Sequence, residues 1–270
     1  ILGTGPLSDT SAQAFFACRR FISSYMPVKD SLDLLFNTRS RMKTMEEGLR
    51  QGFQYTSYYF PQYKLPPKVV SYIGPFDAPG VAITRYTLAI GLQLYAGKNF
   101  PFYLSTQGQD LFPLYISRRF EPEYVVPNCM KAIAEDIYPD QSSSRTLIEQ
   151  MIEKGKNWWL VDQLLPETAD SLKTGFTQRQ LNWCLGNEGQ IWNFFLDQNL
   201  YSLEPDLIKN FIGDGPYTQG MPEASPGNIG QWVGWRIVQK YVSLHPDLTP
   251  AQLLKIPAKQ IFEEAKYKPK

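Results

Sequence analysis

Across 270 residues the chain has a single histidine, His245. Hydrolytic zinc sites draw mainly on imidazole, with carboxylate or thiolate completing the set, so one histidine cannot supply such a site. A Ser or Cys triad is disfavoured for the same reason, because His-Pro-Asp at a helix exit reads as a turn. Cysteine is scarce as well. Cys18, Cys129 and Cys184 lie far apart and form no C-x-x-C, which removes a zinc knuckle or a redox pair. They read as buried free thiols acting as small hydrophobes, with one disulfide between two of them as the other reading. No apolar run reaches the ~18 residues that a membrane-spanning helix needs, and no basic-then-apolar leader opens the chain, so the reading is a soluble protein. Charge of one sign is also missing: 27 basic and 26 acidic side chains are interspersed, for a net charge of +1. That pattern offers no footprint for nucleic acid. G-x-x-x-x-G-K-[ST], G-x-S-x-G and G-x-G-x-x-G are all absent, so no phosphate cradle, nucleophile elbow or dinucleotide turn is expected.

What is present is a core. Hydrophobic residues make up 43% and aromatics 14% of the chain, enough to exclude disorder for its body. Apolar spacing predicts a helix from Asp9 to Met26, stopped by Pro27, and a second from about Asp30 to Tyr58 along Leu35, Met42, Met45, Leu49 and Phe53. Gly48 and Gly52 weaken the second locally. Lys68 to Pro75 and Val81 to Tyr95, with alternating Leu88, Ile90, Leu92 and Leu94, predict strands. Short connections predict a mostly antiparallel sheet of three or four. Residues 100–120 form an irregular aromatic loop. Helices follow over Pro127 to Tyr138 and Ser144 to Leu165. The next opens at the Thr177/Gln180 capping box with the stripe Leu181, Cys184, Leu185, Ile191, Trp192, Phe195. Asp206 to Ile212, Ser225-Pro226 to Leu244, Thr249-Pro250 and Pro257 complete the set, with a loop over 213–224. The prediction is one α+β domain over 1–270, mainly helical with a small sheet. Within it 1–30 is an N-terminal helix and 246–270 a run of short C-terminal helices.

Five residues stand out as candidates. Glu188 falls in the middle of the apolar stripe of its helix, where a carboxylate must find a partner. It is either a satisfied buried glutamate or a site carboxylate with a raised pKa. Lys154 shares helical spacing with Met151 and Trp158, so it either forms a partly buried ion pair with Glu188 or runs its stem along aromatic surface to water. Gly230 and Gly234 expose a smooth helix ridge flanked by Trp232 and Trp235. Those tryptophans either pack in the core or, with Tyr217 and Met221 of the preceding loop, line a groove for a partner segment or a sugar. Paired carboxylates such as Glu46 with Glu47 lie on exposed faces without glycosidase geometry.

Five stretches together carry a resemblance. They are P-K-V-V-S-Y-I-G-P-F (67–76) followed by L-A-I-G-L-Q-L-Y-A-G (88–97), E-Y-V-V-P-N-C-M (123–130), N-E-G-Q-I-W (187–192), and S-P-G-N-I-G-Q-W-V-G-W-R-I-V (225–238). In this order the chain resembles the gliding-motility lipoprotein GldB family over roughly residues 31–245. That family is in turn similar to zincin-type peptidases, in which one helix carries H-E-x-x-H and a later one a glutamate ligand. Here the helix over 127–138 has no histidine, and Lys154 in E-K-G (153–155) stands where the ligand would be. An ammonium repels a metal ion instead of binding it.

The resemblance therefore implies a zincin-like scaffold lacking its metal site, with no metal and no cofactor. It also implies a bacterial cell-envelope lipoprotein that faces the periplasm, held at the membrane only through an N-terminal lipid anchor. Such a protein would be linked to gliding motility or the associated secretion machinery. The leading expectation is a non-catalytic component that binds envelope proteins through a cleft near Lys154, Glu188, Tyr217, Trp232 and Trp235. Two other readings stay open: a metal-independent hydrolase using Glu188 as acid and base, and a small-ligand or sugar-binding module.

Overall fold

The computed structural model describes residues 10–36 and 39–269. Helix α1 (Ala12–Phe36) runs straight through Pro27, so the expected stop is not there; the expected start at Asp9 lies outside the described residues. The proline removes one backbone donor. The turns beyond it are held by tertiary contacts: Val28 and Leu32 are buried with Ala96, Phe100 and Tyr103, and Ser31 Oγ donates to the Ala96 carbonyl at 2.8 Å. Packing of this kind, more than propensity, decides where a helix persists.

Helix α2 (Arg39–Tyr59) lies on the sheet formed by β1 (Lys68–Tyr72), β2 (Val81–Ile83) and β3 (Thr87–Gly91). The strand order is β1-β3-β2. β2 and β3 form an antiparallel hairpin, whereas β1 and β3 pair in parallel from Lys68↔Thr87 to Tyr72↔Gly91. The sheet is thus mixed and not mostly antiparallel. The connection over 73–80 carries the chain past the place that β3 later fills, so β3 enters between the two earlier strands. Leu88 and Ile90 turn inward onto Leu49, and Leu92–Leu94 leave the sheet as a 3₁₀ turn.

The aromatic stretch read as irregular contains three short helices, α3 (Pro101–Leu104), α4 (Thr106–Leu111) and α5 (Leu114–Ser117). Ser105 caps the second by accepting from the Gly108 N–H at 3.1 Å. Helix α6 (Val125–Ile137) then packs against α2, where Gly48 and Gly52 meet Val126 and Met130. These glycines do more than weaken α2. A Cβ at position 52 would lie 2.6 Å from the Met130 sulfur.

Helix α7 (Leu147–Leu164) is the axis of the molecule, opened by the Thr146/Glu149 capping box and buried on nearly every face. Its polar residues are accordingly paired. Glu153 accepts from Tyr138 at 2.8 Å and from Arg145 at 3.0 Å, while Lys156 reaches Glu153 at 3.1 Å and the Ile256 carbonyl at 2.6 Å. Then come α8 (Asp170–Thr174), α9 (Gln178–Gly186), α10 (Glu188–Leu196) and α11 (Pro205–Ile212). The Thr177/Gln180 capping box is formed as expected. The single helix expected over 177–195 is split at Asn187, whose side chain donates to the Trp183 carbonyl at 2.8 Å. Leu185, placed on the apolar stripe by spacing, is 55% exposed as a result.

Helix α12 (Ile229–Leu244) begins after Ser225-Pro226, not at it. Residues 225–228 form a buried turn laced to the loop before them: Thr218 Oγ1 donates to the Pro226 carbonyl at 2.7 Å, and Gly227 lies against Gly215. The short α13 (Pro250–Leu253), with its Thr249/Gln252 capping box, and α14 (Ala258–Ala265) close the fold.

The tightest contact joins α7 to α12. A Cβ built on Gly234 would lie 1.7 Å from the Met151 carbonyl oxygen, and one on Gly155 would lie 2.2 Å from the Gly234 carbonyl carbon. Two helix backbones touch here, so no side chain fits between them. Gly186, at the end of α9, meets nothing within 4 Å. Calorimetry should therefore separate the two: Gly234→Ala lowers stability by roughly 3 kcal/mol or more and Tm by more than about 5 °C. Gly186→Ala should be neutral or mildly stabilising, within about 1 kcal/mol.

Candidate functional site

The touching backbones of α7 and α12 place Lys154, next to Gly155, and Gln231, beside Gly230, on the same opening. Lys131 and Glu135, four apart on α6, form the opposite wall. Asn157 and Trp158 come from α7, Asn228 from the start of α12, Arg119 from the turn after α5 and Asp214 from the loop after α11. Together they enclose a cleft of about 430 Å³.

Most of its charged groups are already matched. Arg119 meets Asp214 at 3.3 Å, and Asn228 donates to the other Asp214 oxygen at 3.3 Å. Glu135 accepts from Asn157 at 3.1 Å and from the Asp140 N–H at 2.9 Å. Lys154 pairs with Asp140 at 2.7 Å. Burial alone would raise the Asp140 carboxyl, but hydrogen bonds from Lys154 and Ser142 outweigh it and leave its pKa lowered. Lys131 differs from all of these. Among the described residues it has no hydrogen-bond or ion-pair partner. Burial, reinforced by the nearby Arg119 and opposed by Asp214, pushes its ammonium down to about 8.

The expected candidates divide. Lys154 lines this cleft, and Tyr217 lines an adjoining hollow of about 400 Å³ that shares Asp214 with it and holds Tyr115, Lys209 and Asn210. Glu188 is elsewhere. As the first residue of α10 it binds Arg236 at 2.7 and 3.3 Å and accepts from the Tyr267 hydroxyl at 2.6 Å, so the expected Lys154–Glu188 pair does not form. The split at Asn187 is the cause, since it turns Glu188 toward α12 and the C-terminal segment. Trp232 and Trp235 are 1% and 5% exposed, and Trp235 donates its indole N–H to Asp162 at 2.7 Å. They are core residues because the ridge they flank is pressed against α7, which leaves no aromatic groove. His245 ends α12 in the expected turn, bonded through Nδ1 to the Tyr241 carbonyl oxygen at 2.9 Å. The three cysteines are free thiols, and burial pushes Cys129 and Cys184 up to about 12.

Sequence reasoning did not single out Lys131, Glu135, Arg119, Asp214 or Asn157. The one available signal was the spacing of Lys131 and Glu135 on α6, which on its own looks like any solvated helix face. Among the described residues, no three His, Cys, Asp or Glu side chains are grouped so as to hold a metal ion.

A third, larger hollow of about 1120 Å³ lies between α2 and the sheet edge. Met42, Met45, Leu49, Phe53 and Val69 give it an apolar floor, with Arg39, Lys43 and Arg50 on its rim. Strand β1 is the edge strand here, and among the described residues the side of its backbone away from β3 makes no hydrogen bond.

The fold and these hollows describe a mainly helical α+β protein with a polar cleft and an open sheet edge. The family described as gliding motility protein GldB matches residues 8–269, and the chain belongs to it. The match takes in α1 and the C-terminal helices as well as the motif-bearing middle. No curated protein and no solved structure matches the chain. No helix among the described residues is long and apolar enough to cross a membrane.

These contacts predict the outcome of two double-mutant cycles read by chemical unfolding. Lys154→Ala and Glu188→Ala should add to within about 0.5 kcal/mol, whereas Glu188→Ala and Arg236→Ala should couple by roughly 1 kcal/mol or more.

Proposed function

We propose that this chain is a non-catalytic, periplasm-facing lipoprotein that binds a protein partner within a gliding-motility-associated envelope assembly. The observation that carries this reading is the groove between α2 and β1. An edge strand presents a row of unpaired N–H and C=O groups, which is the template for adding a strand from another chain. Beside it Met42 is 44% and Val69 41% exposed, a concentration of apolar surface that single scattered residues do not make. The fitting occupant is an extended segment whose alternate side chains drop between α2 and β1. On the rim Arg50 is paired with Glu46 at 2.9 Å and Lys43 with Glu47 at 3.6 Å, so among the described residues Arg39 is the cation that favours an acidic flank in that segment.

What supports a binding role over hydrolysis is the state of the carboxylates. Glu188, the one candidate for acid–base work, is held by Arg236 and Tyr267 and faces away from these hollows. Those in the cleft, Glu135 and Asp214, are each engaged by a neighbouring donor. Three cations in that cleft also disfavour capture of a metal ion.

Photocrosslinking in cells tests the reading. A benzophenone side chain at position 69 or 42 should yield one discrete adduct with an envelope protein, and the same probe at exposed Leu203 should yield none. Val69→Asp should abolish the adduct from position 42. Equal labelling from all three positions, or none from any, would refute the proposed interface.

A further inference from the structure

We propose that the cleft between α6, α7 and α12 is a binding site for a free peptide C-terminus, its carboxylate paired with Lys131. The site is separate from the β1 groove. At about 430 Å³ it falls within the range of small-ligand pockets, large enough for the last few residues of a chain.

The balance of charge comes first. Its lining carries three cations, Arg119, Lys131 and Lys154, and two carboxylates, Glu135 and Asp214. Arg119 is answered by Asp214 and Lys154 by Asp140, while Glu135 is bonded by Asn157. With Asp140 counted, three cations face three carboxylates, but Glu135 is turned to Asn157 and the Asp140 N–H, so among the described residues the Lys131 ammonium has no carboxylate in direct contact. A carboxylate seated on Lys131 supplies that missing direct partner.

The hydrogen-bonding groups then select among anions. Asn157, Asn228 and Gln231 each spend one of two amide N–H bonds, on Glu135, Asp214 and the Ile212 carbonyl respectively. Among the described residues their side-chain carbonyl oxygens carry no bond, so the cleft offers acceptors beside its cation. A ligand that uses these acceptors brings N–H donors along with its anion. A peptide terminus does so, with the backbone amides that precede its carboxylate; phosphate and simple carboxylates do not. Trp158, half-buried in the same wall, supplies an apolar face and an indole N–H that is unbonded among the described residues.

The pH dependence has a definite sign. The charged groups facing Lys131 are Glu135 on its own helix, Lys154 on α7, Arg119 after α5 and Asp214 after α11. An anion bound at Lys131 favours its charged form and raises its pKa above the free value of about 8. Affinity is thus full below pH 8 and falls by up to tenfold per pH unit above it, because binding then requires uptake of a proton.

The experiment titrates the folded chain with a pool of N-acetylated tripeptides bearing a free carboxylate, the same pool amidated, and inorganic phosphate, read by tryptophan fluorescence and calorimetry. The free-acid pool should bind at least tenfold more tightly than the amidated pool and than phosphate. Lys131→Met should remove that preference and Lys131→Arg should retain it. Should Lys131→Met fail to fold, the wild-type pH profile decides the matter without any substitution. Equal binding of acid and amide, stronger binding of phosphate, or an affinity unchanged between pH 7 and 9.5 would overturn the assignment.

Discussion

The C-terminal half of this protein is organised around one contact, the meeting of backbone with backbone where Gly155 of α7 passes Gly234 of α12. Helices with side chains between them stay roughly 8–10 Å apart, and dispersion is then shared among many adaptable groups. Here the approach is closer, and it admits only glycine. Met151 and Gly230 continue the same seam, so the two helices are fixed in rotation as well as in distance. The cleft exists because the residues beside this seam, Lys154 and Gln231, are left looking outward together.

Burial of α7 on nearly all sides has an electrostatic cost, and the fold meets it locally. Glu153 and Lys156 are satisfied by Tyr138, Arg145 and the Ile256 carbonyl; Asp162 is satisfied by Lys173 at 2.7 Å and by Trp235. Each network ties α7 to an element distant in sequence. Removing one partner would leave its mate buried without compensation, which is the expensive direction. Lys131 is the exception to this rule of pairing, and it is the only such exception along the described walls of the cleft.

Much of this was legible in the sequence, and the pattern of what was not is physical. The capping box at Thr177 was readable because it needs only residues three apart, the Thr249-Pro250 helix start because it needs only neighbours, and the Gly230/Gly234 ridge because a four-residue spacing marks one helix face. The fold class followed from the change of period around Lys68 and Leu88. Pro27 misled because a local rule was overridden by burial of Val28 and Leu32 further along. Glu188 misled because periodicity assumed an unbroken helix, and one asparagine side chain capturing the Trp183 carbonyl was enough to end it. The parallel pairing of β1 with β3 depends on chain path and not on any residue. Lys131, Arg119 and Asp214 come from three segments with no shared spacing, so only the folded chain brings them together.

Helix α6 is a shared partition. Its one side bears on α2 through Val126 and Met130, seated over Gly48 and Gly52, and its other side carries Lys131 and Glu135. On α2 no side chain cushions that contact. The groove and the cleft thus lie on either side of one helix whose contact with α2 has no side-chain slack to absorb a shift.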